Sequence, residues 1–515
     1  MSHHVTVATS DVKGKPVETP QGKSWADRVR QGIGDAVLDA VIKSAPKLAH
    51  IAPFRRAVVK GYERYMRAAS RRMVASGSRL AEVEKDRLDM GLAILHTVAR
   101  AIAERRLGDT HMRAALNNLI RDALVRQGDR AAVERFAAKY GCPPPSVLLV
   151  SPTKACNLRC TGCYADSGPA REKLEWDIFE RTIREAHDLW GARFFVFSGG
   201  EPLIYRDEGK GVLDLVERFP DCFFMMYTNG TLIDDKTARR LKEVANLTPA
   251  ISIEGLKEQT DARRGEGIFD CVLEAMRRLR REQVIFGISL TALRQNAEYV
   301  LSDEVVNFFF DEMGASYAWI FHYMPIGRAY TLELMPTPEQ RFRMWQRTWQ
   351  LVRERHLMVA DFWNSGIAAD GCISAGRPGG YMAIDWNGAV MPCVFTPYSP
   401  VNIRTAYAEG KTLNDVWAEP FFASIRAWQR AYGYKENYLS DEHCGNRIMP
   451  CPIRDHHAEF QRMVMEHEPD PTDENARDAL LDAEYHQGLE EFDRNLAAIL
   501  DPIWESHYLR KRRYP

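Results

Sequence analysis

The 515-residue chain has no run of about 18 consecutive apolar residues, so no stretch reads as a membrane-spanning helix. Its first residues, MSHHVTVATSDVKGKP, have no apolar core, so no secretory signal is expected. There are no internal repeats, which excludes solenoids and propellers. Cysteine is sparse, ten residues in the whole chain, and this excludes a disulfide framework. These absences imply a cytoplasmic protein whose reduced thiols serve metal binding or catalysis.

Net charge is also nearly absent, at −1, but this hides an asymmetry. Residues 1–145 hold 26 Lys+Arg against 15 Asp+Glu, while the remainder holds 43 against 55. A basic module is therefore joined to an acidic body, which points to a polyanionic partner. Residues 1–24 are polar and read as disordered. Residues 25–140 show apolar spacing of helical period only, as in LAEVEKDRLDMGLAILHTVARAIAERRL. The stretch PFRRAVVKGYERYMRAASRRMV pairs an apolar stripe with seven basic residues. A solvated face of a helical bundle is the plainer reading. An anionic membrane surface is the sharper one, placing the protein at the inner face of the membrane, and nucleic acid is disfavoured.

After the linker GCPPP the pattern changes. Short apolar runs (SVLLVSP, RFFVFSGG, CFFMMYTNG, PAISIEG, VIFGISLT, YAWIFHYMP) alternate with helical stretches. Six β-then-α units imply an α/β fold with a parallel sheet, either a partial barrel or a doubly wound sheet. Ligands bind at the C-terminal strand ends of such folds. The suggestive residues all fall there: a cysteine triplet after the first strand, Ser198-Gly-Gly-Glu-Pro202 after the second, Thr228-Asn-Gly230 after the third, Ser252 and Glu254 at the fourth, Ser289 at the fifth and His322 at the sixth.

The triplet, KACNLRCTGCYAD, puts thiols at Cys156, Cys160 and Cys163. Three thiolates on one loop can hold a cubane iron–sulfur cluster with its fourth iron open. Zinc would want a fourth protein ligand nearby, and the local sequence offers none. The C-x3-C-x2-C triplet, the GGEP stretch and the serial βα units together resemble the radical S-adenosylmethionine enzymes over roughly residues 146–330. The resemblance implies a partial (β/α)6 barrel at 146–345 and a [4Fe-4S] cluster on Cys156, Cys160 and Cys163. It implies S-adenosylmethionine on the open iron, cleaved reductively to a 5′-deoxyadenosyl radical that abstracts hydrogen from substrate. Gly199, Gly200, Glu201 and Pro202 would contact the methionine end, and Asn229, Ser252 and Glu254 the ribose and carboxylate. The family commonly has an aromatic residue before the third cysteine; this chain has Gly162, and Tyr164 is the candidate substitute. A low-potential donor such as flavodoxin or ferredoxin is implied as partner.

Cys372 and Cys393 bracket GYMAIDWNGAVMPC, and Cys444 and Cys451 follow. Asn387-Gly388 is a strong hairpin-turn signal. The set resembles the auxiliary-cluster (SPASM/twitch-like) domain of one branch of the same family. The longer version carries a C-x2-C-x5-C-x3-C run that is missing here, so one auxiliary [4Fe-4S] cluster on Cys372, Cys393, Cys444 and Cys451 is expected, in a domain spanning 346–460. Residues 461–515 read as a helical tail. His443, His456 and His457 are read as exposed loop histidines, and Cys142, Cys222 and Cys271 as packing residues.

For the substrate, an apolar, membrane-associated molecule attacked at an unactivated carbon is the leading expectation. Trp319, Phe321, Tyr323 and Met324 are candidates to line its pocket. A peptide-modifying maturase and a small-molecule radical dehydrogenase are the alternatives. An iron–sulfur carrier is disfavoured, since it has no need of a methionine site.

Overall fold

The computed structural model describes residues 51–77, 79–125, 128–433 and 445–509. The expected disordered segment, the first helices before residue 51, His443, Cys444 and the basic C-terminal end lie outside the described residues.

Six strands run parallel in chain order: β1 (Val147–Val150), β2 (Phe194–Phe197), β3 (Phe223–Thr228), β4 (Leu247–Ile253), β5 (Gly287–Ala292) and β6 (Tyr317–His322). Their sequences are nearly continuous apolar runs because both faces are buried, as parallel sheets require. In β2, Phe195 and Phe197 point outward; Phe197 meets Phe179 of the helix Trp176–Leu189 edge-on, with ring centroids 5.4 Å apart. The alternate residues Phe194 and Val196 point into the barrel.

The sheet does not end at six strands. Pro338–Arg355 is a capped helix, with Thr337 and Gln340 forming a reciprocal capping box, and it returns the chain to β7 (Met358–Asp361), parallel to β6. A seventh βα unit therefore runs across the expected boundary at residue 345. On the other side, β8 (Tyr381–Ile384) pairs parallel with β1, and β9 (Ala389–Met391) pairs antiparallel with β8. The turn between them is the expected one: Gly388 has φ of 82°, and Asp385 Oδ1 accepts from the N–H groups of Asn387 and Ala389 at 2.9 Å each.

The helices flanking the barrel in sequence are part of its body. Ala81–Ala103 packs against Pro338–Arg355, β7 and the segment Trp504–Leu509 that follows the C-terminal helix Ala483–Ile503. These elements share a core of Val83, Met90, Trp349, Leu496 and Leu500. Buried Asp86 ties this junction by pairing with Arg353 and accepting from the Tyr508 hydroxyl at 2.7 Å. Ala52–Ala75 is different: Ser70 is its one buried residue, and Arg56, Lys60, Arg64, Arg67, Arg71 and Arg72 are exposed. No described helix is long and apolar enough to cross a membrane.

Two expectations about packing are corrected. Cys271 is exposed, whereas Cys222 is buried and Cys142 packs half-buried against the core. His457 is buried, bonded through Nδ1 to the Ile453 carbonyl and through Nε2 to His486 Nδ1 at 2.8 Å each, and half-buried His456 bonds the Met449 carbonyl. Both histidines are held inside the helical layer because residues 451–467 fold back against the C-terminal helix, a contact that sequence spacing does not reveal.

Candidate functional site

The first cysteine loop follows β1 and is held by the turn after β2. Gly200 N–H donates to the Thr153 carbonyl at 2.9 Å, and Glu201 N–H donates to the Ala155 carbonyl at 2.8 Å. A Cβ on Gly200 would lie 2.2 Å from the Ala155 oxygen, and one on Gly199, whose φ is 106°, 2.8 Å from the Thr153 oxygen. These glycines are needed because one backbone presses directly on another.

Glu201 does not face the cavity. Its buried carboxylate accepts from Leu203 N–H, Thr228 Oγ1 and Asn229 N–H at 3.1, 2.8 and 2.7 Å. Burial pushes the carboxyl up to about 7, against the pull of these three donors. Glu201 thus locks the ends of β2 and β3 together. Pro202 also lies off the cavity wall. Glu254 is a further correction: it is fully buried and spent on Arg263, Arg264 (2.5 Å) and the Thr291 N–H (2.9 Å). The sequence could not show this, because Arg263 and Arg264 lie a whole helix beyond the strand end.

Gly199, Gly200, Tyr164, Asn229 and Ser252 do line one cavity of about 500 Å³, together with Cys156, Cys160 and Cys163. Asn229 Nδ2 is 3.7 Å from the Cys156 sulfur, the Leu158 N–H is 3.5 Å from it, and Arg264 Nη1 is 3.9 Å from the Cys160 sulfur. Tyr164 accepts from the Gly199 N–H at 3.2 Å and bonds Ser198 Oγ at 2.7 Å, so it braces the glycine turn. The missing aromatic before Cys163 has a local cause. Gly162 has φ of 63°, and a Cβ there would meet the Tyr323 ring at 2.7 Å, so a residue from the end of β6 already fills that space.

Cys372, Cys393 and Cys451 line the same cavity from the other side. The Cys393 sulfur is 2.8 Å from the Tyr381 hydroxyl and 3.5 Å from the Phe395 N–H, and Cys372 is 3.1 Å from Ser374 Oγ. Burial pushes the Cys156 thiol up to about 11 and the Cys393 thiol up to about 12. Thiolates at these depths are stable only with a cation to share their charge. Free thiols with N–H and O–H donors aimed at the sulfurs fit iron–sulfur clusters in both places.

The cavity wall also carries the aromatic residues Trp319, Phe321, Tyr323, Trp363 and Phe395, and Met324 lines it with them. Trp319 and Trp363 have indole N–H groups with no acceptor among the described residues. One polar pair interrupts this wall. His322 Nε2 is 2.9 Å from Asp361 Oδ2, and His322 Nδ1 is 3.2 Å from Arg454 Nη2. A guanidinium only donates, so Nδ1 accepts and Nε2 carries the proton. Burial holds the imidazole below its ordinary value against the pull of Asp361. Asp361 was missed in the sequence because its strand, β7, falls inside the stretch assigned to the auxiliary domain.

Two family models match stretches of this chain. The family model for the radical SAM superfamily (SAM, S-adenosylmethionine) matches residues 150–302. The SPASM model, an iron-sulfur cluster-binding domain, matches residues 372–446. Among curated proteins, the chain is 29% identical over 177 residues to an Fe-coproporphyrin III synthase of Methanosarcina barkeri, covering 34% of this chain and 44% of that one. It is 29% identical over 180 residues to a cysteine-type anaerobic sulfatase-maturating enzyme of Clostridium novyi, covering 32% and 47%. It is 28% identical over 316 residues to the mycofactocin maturase MftC of Mycolicibacterium smegmatis, covering 58% and 76%. The chain spans about half the length of the first curated relatives it matches. Among solved structures, Streptococcus suis SuiB bound to precursor peptide SuiA aligns with a TM-score of 0.48 at 21% identity, covering 58% of this chain and 70% of that one. The chain carries a radical SAM domain followed by a SPASM domain.

Proposed function

We propose that this chain, a radical SAM domain joined to a SPASM domain, is an enzyme that abstracts hydrogen from an organic substrate held between its two cysteine sets. The single observation that carries the reading is that both sets open onto one aromatic-walled cavity. When bound, the cluster and S-adenosylmethionine supply reductive cleavage and a carbon-centred radical. Cys156, Cys160 and Cys163 would hold that cluster and leave one metal position free. Cys372, Cys393 and Cys451, with Cys444, would hold the auxiliary cluster.

The chain's own residues do the rest. The Gly199–Gly200 turn keeps its backbone at the cavity wall beside the cysteine loop. Arg263 and Arg264 share the single carboxylate of Glu254, so one net positive charge remains at the cavity wall, suited to a carboxylate on the ligand. The aromatic wall excludes water, which protects a radical from side reactions. His322, with Nε2 donating to Asp361 and Nδ1 accepting from Arg454, holds the tops of β6 and β7 together behind the cavity wall. A low-potential flavodoxin or ferredoxin would deliver the electron.

The wall favours an apolar substrate portion, and the exposed basic helix Ala52–Ala75 favours docking on anionic lipid at the cytoplasmic face. Binding to anionic vesicles at low salt, weakened by replacing Arg55, Arg56, Arg71 and Arg72 with Glu, checks that part; no binding refutes it. A peptide-modifying reading is favoured by the span of the match to a maturase, 58% of this chain. A mass change on a peptide, with none on lipid, would select it.

The defining test is anaerobic iron and sulfide analysis with electron paramagnetic resonance, alongside 5′-deoxyadenosine release under a low-potential reductant. The wild type should hold about eight irons and Cys156/Cys160/Cys163→Ala about four, with release lost. Undiminished release by the triple variant overturns the reading.

A further inference from the structure

The glycine turn after β2 fixes only the start of the first cysteine loop, through the carbonyls of Thr153 and Ala155. The other end, Cys160 to Ser167, is gripped by a residue the chemistry above does not use: Arg328, in the segment that leaves β6. Its backbone N–H donates to the Cys163 carbonyl at 3.0 Å. Its guanidinium reaches three more acceptors on the same loop: the Cys160 carbonyl, the Ser167 carbonyl and Asp166 Oδ1, the last at 3.1 Å. Gly327 beside it lies so close that a Cβ there would meet the Tyr164 carbonyl oxygen at 2.2 Å.

The loop needs such a grip. Cys160 to Ser167 forms turns and no helix or strand, so its carbonyls have no ladder partners. Asp166 has φ of 41°, a left-handed conformation that a residue with a side chain holds only when its surroundings impose it. The Arg328 side chain is 16% exposed, which leaves little room for water to take over its bonds. A planar guanidinium with five fixed donors suits several convergent acceptors, and a point-like ammonium does not.

This clasp is braced by residues far away in sequence. Asn475 Nδ2 donates to the Gly327 carbonyl at 2.6 Å. Asn475 lies in the helix Glu474–Leu481, and the short strand before it, Asp470–Pro471, pairs antiparallel with Tyr398–Ser399, shortly after Cys393. The Tyr398 hydroxyl adds a bond to the Ala476 carbonyl at 3.1 Å. A continuous set of contacts therefore leads from the segment of the second cysteine set, through the C-terminal segment, to the first cysteine loop.

We infer that Arg328 is a positioning residue for the first cluster: it fixes the backbone that carries Cys160 and Cys163, and Asn475 of the C-terminal segment holds it in place. This rests on the reading of Cys156, Cys160 and Cys163 as the ligands of that cluster.

The test uses the full chain with its clusters reconstituted anaerobically. Iron loss to EDTA is timed, and electron paramagnetic resonance tells the clusters apart, since S-adenosylmethionine on the open position changes the signal of the first alone. Arg328→Met strips three acceptors of their donor. The first cluster should lose iron at least about tenfold faster, with its own signal altered and that of the auxiliary cluster unchanged. Arg328→Lys keeps the charge without the fork and should fall between Arg328→Met and the wild type. Asn475→Ala should act in the same direction by less; should Arg328→Met not fold, these two variants carry the test. Arg159→Met removes an exposed charge from the same loop and should match the wild type. Wild-type iron loss in every one of the Arg328 and Asn475 variants that folds overturns the inference. Equal loss from both clusters, or an effect of Arg159→Met as large as that of Arg328→Met, overturns it too. A wild type whose signals ignore S-adenosylmethionine overturns instead the ligand reading beneath it.

Discussion

Gly200→Ala is the most direct test of how the first cysteine loop is held. The added Cβ would sit 2.2 Å from the Ala155 oxygen and 2.6 Å from the Lys154 oxygen, both backbone atoms. Real contacts of this type are above roughly 3 Å, so the loop must retreat by roughly 1 Å. Overpacking of this kind costs about 1–3 kcal/mol. The hydrogen bonds from Gly200 and Glu201 to Thr153 and Ala155 would lengthen with it, each contributing about 1 kcal/mol. The total is about 2–5 kcal/mol. A unit of this size has an unfolding entropy near about 1 kcal/mol per kelvin, so Tm should fall by about 2–5 °C. Because Ala155 precedes Cys156, iron content should fall together with Tm. The control is Gly168→Ala, where a Cβ meets nothing within 4 Å and φ is not positive, although the Gly168 carbonyl accepts from the Cys156 N–H at 2.8 Å. Calorimetry and iron analysis on the two variants decide the matter. Gly200→Ala with the Tm and iron content of Gly168→Ala would refute the reasoning.

Other expectations are simpler to state. Glu254→Gln leaves Arg263 and Arg264 without their buried counter-charge and should cost about 3–5 kcal/mol in urea unfolding. Tyr381→Phe removes the hydroxyl beside the Cys393 sulfur; stability should drop by about 0.5–1.5 kcal/mol, and the spectrum of the auxiliary cluster should shift while that of the first does not. His187 sits 2.9 Å from Asp221, and that hydrogen bond raises its pKa despite partial burial. Its contribution is therefore complete below about pH 6.5 and is lost as pH rises through the folded value. The Tm difference between wild type and His187→Gln should shrink between about pH 6 and pH 8; a constant difference would count against the pairing.

The barrel strands were readable because parallel, doubly buried strands leave continuous apolar runs such as FFVF and FFMMYT. The hairpin turn at Asn387-Gly388 was readable because its backbone requires a positive φ. What escaped was long-range. β7 is only four residues, MVAD, preceded by a polar helix, and nothing local says that it joins the barrel. Its Asp361 therefore had no visible partner until it met His322. Glu201 and Glu254 stood at the right strand ends, but whether a carboxylate faces a ligand or an arginine depends on elements far away in sequence. The tail and the first helices looked separable because their polar faces are plain in sequence, whereas their shared core of Val83, Trp349 and Leu500 is assembled from three distant segments.

The pairing of β8 with β1 bears on how this architecture can be taken apart. The register is continuous, Val147 to Tyr381 through Val150 to Ile384, so the SPASM segment supplies the neighbour that β1 would otherwise lack. A truncation before residue 372 would leave β1 with a bare edge, a template for aggregation. The two matched domains are therefore not a cassette and a chassis to be exchanged at will. A chimera that grafts a foreign SPASM segment must reproduce this strand and its register, or it will misassemble whatever cysteines it carries.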